Sequence, residues 1–282
     1  MKIFTWCTDI HLDFIDKSDR PLAVEKFARH INDIKASGIF ITGDISLAPD
    51  LVRHLKIIDS VVNKPIYFVC GNHDMWGADV ASVRTQLVDM CKNSANLKYL
   101  TAMDHVSLTK KTALVGHDGW YDAYYGDPFR SNYVMVDWFK IGDFINAGVM
   151  GTGMYGPKPN VPVAVGLSRQ WASVAADHVA VCADRAAKTH QNVVVLTHVP
   201  PFPEVHKYKG QIGDASAMPW YTSKLMGDAL IKVARDNPQT KFEVFCGHTH
   251  GKAKAQVADN VFCRVGGSQY GAPQAAGTLS FP

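Results

Sequence analysis

Over its first 116 residues the chain alternates strand-like and helix-like segments, the pattern of a layered α/β fold in which helices cover a central sheet. Ile3 to Thr8 opens the series. Asp19 and Pro21 signal a helix start, and Val24, Phe27, Ala28, Ile31 and Ile34 then recur along one helical face. Ile39 to Ile41 reads as a buried strand, Asp50 to Val62 as a second helix, Ile66 to Cys70 as a strand and Asp79 to Cys91 as a third helix. Further strands are expected over Leu97 to Leu108 and Thr112 to Val115. Residues 118 to 165 lose periodicity and are rich in Gly, Pro, Tyr, Trp and Phe, as an insertion would be. An Ala-rich helix is expected over Gly166 to Lys188, a strand over Val193 to Leu196 and a loop from Pro200 to Pro219. Ser223 to Arg235 reads as a helix, Phe242 to Cys246 as a strand, and Val257 to Val265 as a hairpin turning at Asp259-Asn260.

A chain of 282 residues with 47% apolar and 20% charged side chains can bury a sizeable core, so one domain over 1–282 is expected and a disordered or fibrous chain is excluded. The net charge of +3 is too small to imply a nucleic-acid footprint. Cys7, Cys70, Cys91, Cys182, Cys246 and Cys263 form no C-x-x-C pair and are too sparse for a disulfide framework, which suits a reducing compartment. No run approaches the roughly 18 apolar residues of a membrane span, and Met1 leads straight into a strand without a signal core. A soluble, cytoplasmic protein without a membrane partner is expected.

Five polar motifs sit where strand-like runs end. Asp9-Ile10-His11 closes the first, and residues two apart in extended chain project to the same side, so carboxylate and imidazole could meet one ion. With 23 Asp and 12 His, chance alone supplies about one D-x-H, and Gly43-Asp44 at the second strand is commoner still. Gly71-Asn72-His73-Asp74 is specific: by composition it should arise in well under about one such chain in a hundred. Thr197-His198-Val199-Pro200-Pro201 and Gly247-His248-Thr249-His250 close two later strands. Loops beyond the carboxyl ends of strands in α/β sheets gather in one crevice. There Asp9, His11, Asp44, Asn72, His198, His248 and His250 offer seven oxygen or nitrogen donors, more than one ion needs. Two cations about 3.5–4 Å apart, sharing a carboxylate, can activate a bridging water and clamp a phosphoryl group.

In this order the motifs resemble those of the calcineurin-like metallophosphoesterases, and the resemblance spans residues 9 to 250. It implies a fold of two mixed β-sheets packed face to face and flanked by helices, a four-layer αββα sandwich. It implies that Asp9, His11 and His250 hold a first ion, that Asn72, His198 and His248 hold a second, and that Asp44 bridges them. His73 would face the leaving-group oxygen, oriented by Asp74. Two departures narrow the branch. Leu47 stands where purple acid phosphatases carry a metal-bound tyrosine, and Gly43-Asp44 continues as Ile45-Ser46-Leu47-Ala48-Pro49, without the G-D-x-x-D-R-G run of the protein serine/threonine phosphatases.

The expected activity is hydrolysis of a phosphodiester or phosphomonoester of a small molecule, by attack of a metal-bridging hydroxide in line with the departing oxygen. Imidazole, carboxylate and amide donors suit manganese, iron or zinc, as divalent or mixed-valence pairs. A nuclease is the rival enzyme, but the charge balance does not favour a nucleic-acid partner. A non-catalytic scaffold of the same fold, binding partner proteins, is the rival from another class, against which the full donor set weighs.

Other features are discounted. Gly151 to Gly156 satisfies G-x-G-x-x-G, but Pro157 and Pro159 forbid the helix a dinucleotide site needs. Trp120, Tyr121, Tyr124, Tyr125, Phe129, Tyr133, Trp138 and Phe139 read as a satellite core beneath the insertion rather than a stacking platform. His117 reads equally as a phosphate contact or a turn residue, and His206, Lys207 and Lys209 as a solvated run.

Overall fold

A computed structural model describes residues 1–153, 156–208 and 211–282. The chain runs through β1 (Lys2–Cys7), α1 (Arg20–Asp33), β2 (Gly38–Thr42), α2 (Ala48–Val61), β3 (Ile66–Val69), α3 (Val80–Lys92), β4 (Leu97–Tyr99), β5 (Val106–Ser107) and β6 (Thr112–Gly116). The middle holds the short helices α4 (Asp137–Lys140) and α5 (Gly142–Asn146), a ribbon of β7 (Met150–Gly153) and β8 (Gly156–Pro159), and the long α6 (Val161–Ala187). Then come β9 (Asn192–Leu196), a ribbon of β10 (Lys207–Tyr208) and β11 (Gln211–Ile212), α7 (Met218–Tyr221) and α8 (Lys224–Asp236). β12 (Lys241–Cys246), β13 (Ala253–Ala258), β14 (Val261–Val265) and β15 (Ala275–Phe281) complete the chain.

Two mixed sheets result. The first has the order β15-β1-β2-β3-β4, parallel except for β15, and the second has the order β13-β14-β12-β9-β6-β5, with antiparallel strands only at its edges. Alternation along the strands sorts the core into three layers. Ile39 and Ile41 of β2 pack with Val24, Phe27, Leu51 and Leu55 of α1 and α2, whereas Phe40, between them, faces the other way. There it meets Phe4, Trp6, Leu114, Val194, Leu196 and Phe245 between the sheets. Val193 and Val195 point outward to Val179 and Ala183 of α6 and Leu230 of α8. The molecule is therefore the expected sandwich of helices, sheet, sheet and helices.

The differences from the sequence reading have local causes. The expected run from Leu97 to Leu108 is two strands in different sheets, because a 3-10 turn at Leu100–Ala102 carries the chain across and drops Leu100 into the layer between the sheets. α6 begins at Val161, five residues earlier than expected, since Pro162 is tolerated in a first helical turn. β15 was not among the expected strands and is held by its antiparallel register on β1. The six cysteines are free thiols, and no helix among the described residues is long and apolar enough to cross a membrane. The Gly151–Gly156 motif opens in the β7–β8 ribbon rather than on a helix, with Met154 and Tyr155 outside the described residues.

Candidate metal centre

Register brings the five motifs to one place. Cys7 of β1 lies beside Ile41, and Thr42 beside Val69, so the segments leaving β1, β2 and β3 emerge side by side. In the other sheet Leu196 of β9 pairs with Gly116 and Phe245, so His198 and His248 leave from the same edge.

The side chains then meet. His11 Nε2 lies 3.0 Å from His250 Nε2 and 3.6 Å from Asp44 Oδ2, and His250 Nε2 is 3.5 Å from Asp9 Oδ1. On the other side of Asp44, Oδ1 lies 3.4 Å from His198 Nε2, which is 3.2 Å from Asn72 Oδ1. Asp9, His11, Asp44 and His250 form one group able to hold a cation, and Asp44, His198 and His248 another. Asp44 belongs to both.

Six non-glycine residues among those described have left-handed backbone: Asp9, His11, Asp44, His248, His250 and Ala123. Such a conformation costs on the order of 1–3 kcal/mol for a residue with a Cβ and persists where surrounding structure enforces it. Five of the six belong to the donor set, so the loops are bent specifically where donors must turn inward. Glycine makes the approach possible: Gly43 has φ +88°, and a Cβ there would stand 2.6 Å from His198 Nδ1.

Neighbouring groups fix which ring nitrogen is free. His198 donates its Nδ1 proton to the Thr42 carbonyl (2.8 Å), and His248 donates its Nε2 proton to the Trp220 carbonyl (3.0 Å), so each keeps the opposite nitrogen for a cation. Asp9 accepts from Thr8 Oγ1 and from the His248 amide. The Asn72 amide donates to Asp137 Oδ1 (2.8 Å), which frees its oxygen for the site. Burial and the neighbouring His198 hold His248 down, to about 3, so its ring is neutral. Burial opposes the charged form of His198, yet the adjacent Asp44 carboxylate lifts it to about 10. His198 and His73 in turn keep Asp44 well below the usual carboxylate range despite its burial. A cation between them would take the place of that proton, the exchange expected of metal ligands. Nitrogen and oxygen donors without thiolate, paired around one carboxylate, fit two cations of the manganese, iron or zinc type.

Residues 3–252 match the model of the calcineurin-like phosphoesterases. The chain belongs to that family. No match was found among curated proteins. Among solved structures this phosphoesterase resembles the phosphopantetheinyl hydrolase of Mycobacterium tuberculosis, with a TM-score of 0.55 and 13% identity over 96% of this chain and 94% of that one. It also resembles a dimetal phosphatase from Danio rerio, with a TM-score of 0.56 and 12% identity over 94% and 87% of the two chains. At these identities the likeness concerns the fold.

Within this phosphoesterase one expected role needs correction. Asp74 does not orient His73: its carboxylate accepts the backbone N–H groups of Ile45, Ser46 and Gly71, and so ties the β2 and β3 loops together. The carboxylate facing His73 is Asp13, with Oδ2 3.6 Å from His73 Nδ1. Its sequence signal was the extension of D-x-H to Asp9-x-His11-x-Asp13, one more residue at the spacing of two.

The aromatic stretch is likewise not a satellite. Trp120, Tyr121 and Trp138 join Trp220 in the same core as α1 to α3, while Tyr124 and Phe129 are exposed and Tyr133 lines the cleft beside the donors. Tyr121 and Trp76 donate to Asp137, so the insertion supplies the residue that orients Asn72. Nothing in its aperiodic sequence marked Asp137 for that task. His117 is a turn residue whose Nδ1 accepts the Gly119 amide. The adjacent Asp118 accepts from Cys70 N–H, Tyr99 Oη and Arg84 Nε, joining the ends of β3 and β6. His206 is buried rather than solvated and lines the outer cavity with Lys207; Lys209 lies outside the described residues.

Proposed function

We propose that this chain is a dinuclear-metal phosphohydrolase that cleaves a phosphodiester or phosphomonoester of a small molecule. In this reading Asp9, His11 and His250 hold one cation, Asn72, His198 and His248 hold the second, and Asp44 touches both. Residues 1–282 act as one domain, with the stretch near 118–165 as its insertion. Two cations so held would supply hydroxide at neutral pH for attack on phosphorus and neutralise charge on the phosphoryl oxygens. The chain contributes position: Thr42 and Trp220 hold the imidazoles, Asp137 holds Asn72, and His73 lines the cleft where a leaving group departs.

The observation that carries this reading is the concentration of left-handed backbone on Asp9, His11, Asp44, His248 and His250 as they converge. The dimensions of the cleft support a small substrate. Cavities of ≈ 280 and ≈ 390 Å³ flank the donors, and Phe14, Trp76, Tyr133, Tyr221 and Tyr270 supply apolar walls suited to a small organic ester.

Protein stripped of metal and reloaded with manganese, iron or zinc is expected to hydrolyse an aryl phosphate monoester, a diester or both, and to lose that activity on chelation. Absence of turnover with every metal, together with partner binding indifferent to metal, would favour the scaffold instead. Asp137→Ala is expected to weaken metal binding about 10- to 100-fold, as loss of a group that orients a ligand usually does. Titration with zinc measures it, and wild-type affinity in the variant would remove Asp137 from the scheme.

A further inference from the structure

We propose that Asp13 is the positioning residue for His73, taking the Nδ1–H of that ring and of His11 so that the Nε2 atoms of both are left for the site. His11 Nδ1, Asp13 Oδ1 and His73 Nδ1 are buried, and none has a hydrogen-bond partner. They face one another: Asp13 Oδ1 is 3.7 Å from His11 Nδ1, and Asp13 Oδ2 is 3.6 Å from His73 Nδ1. Both separations exceed a hydrogen bond, and such contacts commonly close only when substrate is bound. Unpaired polar atoms this deeply buried are costly, and one carboxylate with two acceptor oxygens answers both rings.

The surroundings hold each partner still. The Asp13 side chain is 5% exposed, and Arg20 Nη2 donates to the Asp13 and Ile15 carbonyls, which clamps the turn that carries it. The His73 ring lies flat on Trp76, with centroids 3.6 Å apart, and Trp76 is itself held by Asp137. His11 Nε2 already points at Asp44 and His250. Asp74, the sequence neighbour of His73, is consumed by three backbone amides and has no such part.

The chemical consequence rests on the phosphohydrolase reading. As hydroxide forms the new phosphorus–oxygen bond, the bond to the leaving oxygen breaks and its electron pair stays on that oxygen. The oxygen takes the Nε2 proton of the His73 imidazolium, and the ring, neutral again, keeps its Nδ1 proton against Asp13. A p-nitrophenolate needs no such proton; an alkoxide does.

The test compares zinc-loaded wild type, Asp13→Ala, His73→Gln and the double variant on an aryl and an alkyl ester of the same phosphate. Asp13→Ala is expected to lower kcat/KM for the alkyl ester about 10- to 100-fold more than for the aryl ester, part of the usual general-acid contribution. The double variant should show no more selectivity loss than His73→Gln alone, since both act through one ring. In ¹⁵N spectra of the histidine rings, recorded at a pH where His73 is neutral, its one proton should sit on Nδ1 in the wild type and shift toward Nε2 in Asp13→Ala. Equal losses on the two esters, additive selectivity in the double variant, or an unchanged His73 tautomer would overturn the proposal. Should Asp13→Ala not fold, Asp13→Asn is read for the same selectivity loss. A wild type inactive on both esters would sink the phosphohydrolase reading alone, and the ring tautomer would still decide the Asp13–His73 contact.

Discussion

Asp44→Asn is expected to abolish hydrolysis, with a loss of about 10³-fold or more, and to remove both cations rather than one. The carboxylate faces His11 with one oxygen and His198 with the other, and the His73 amide donates to it as well. Asparagine preserves the shape but replaces one acceptor with an NH₂ group and removes the negative charge shared by the two halves of the site. Two cations held there would supply several kcal/mol of charge stabilisation, and each 1.4 kcal/mol is about a tenfold change in rate. Elemental analysis beside a turnover assay decides the matter. A variant that kept two equivalents of metal and hydrolysed at the wild-type rate would deny Asp44 its shared position.

The second large effect is expected at His73. His73→Ala should lower turnover of an alkyl ester about 10²- to 10³-fold, within the range of a general acid, while retaining most of the metal. The reason is placement: His73 lines the cleft and stacks on Trp76, and the donor group it forms with His11 and Asp13 is separate from the two that share Asp44. Without metal, burial disfavours its charged form while Asp44 and Asp13 raise its proton affinity. Metal loss as severe as in Asp44→Asn would refute this division of labour and make His73 a ligand.

Much of the fold was legible because short-range rules act on it directly. The first three helices begin within two residues of their expected starts, since one-sided apolar spacing, with proline in the first turn of α1 and α2 and Asp79 before α3, is a local property. The passage of residues 97–107 from one sheet to the other was hidden, because strand-like composition does not say which sheet a strand joins. The same limit applies at the site. The motif pattern singled out seven donors, which the structure brings together, whereas the resemblance set Asp74 against His73, where the structure places the Asp13 carboxylate.

What the sequence determined by itself was the set of polar residues at strand ends and the alternation that buries their strands, because both are written in neighbouring positions. Which side chains answer one another was decided only by tertiary structure. Asp137 reaches Asn72 from 65 residues away, and the His248 ring is held by a carbonyl of Trp220. Asp74 is next to His73 in the chain, but the three amides it accepts lie where the β2 and β3 loops cross. Hydrogen-bond partners depend on distances of a few ångströms between segments that meet only when the sheets have packed. No pattern of spacing along the chain encodes those distances.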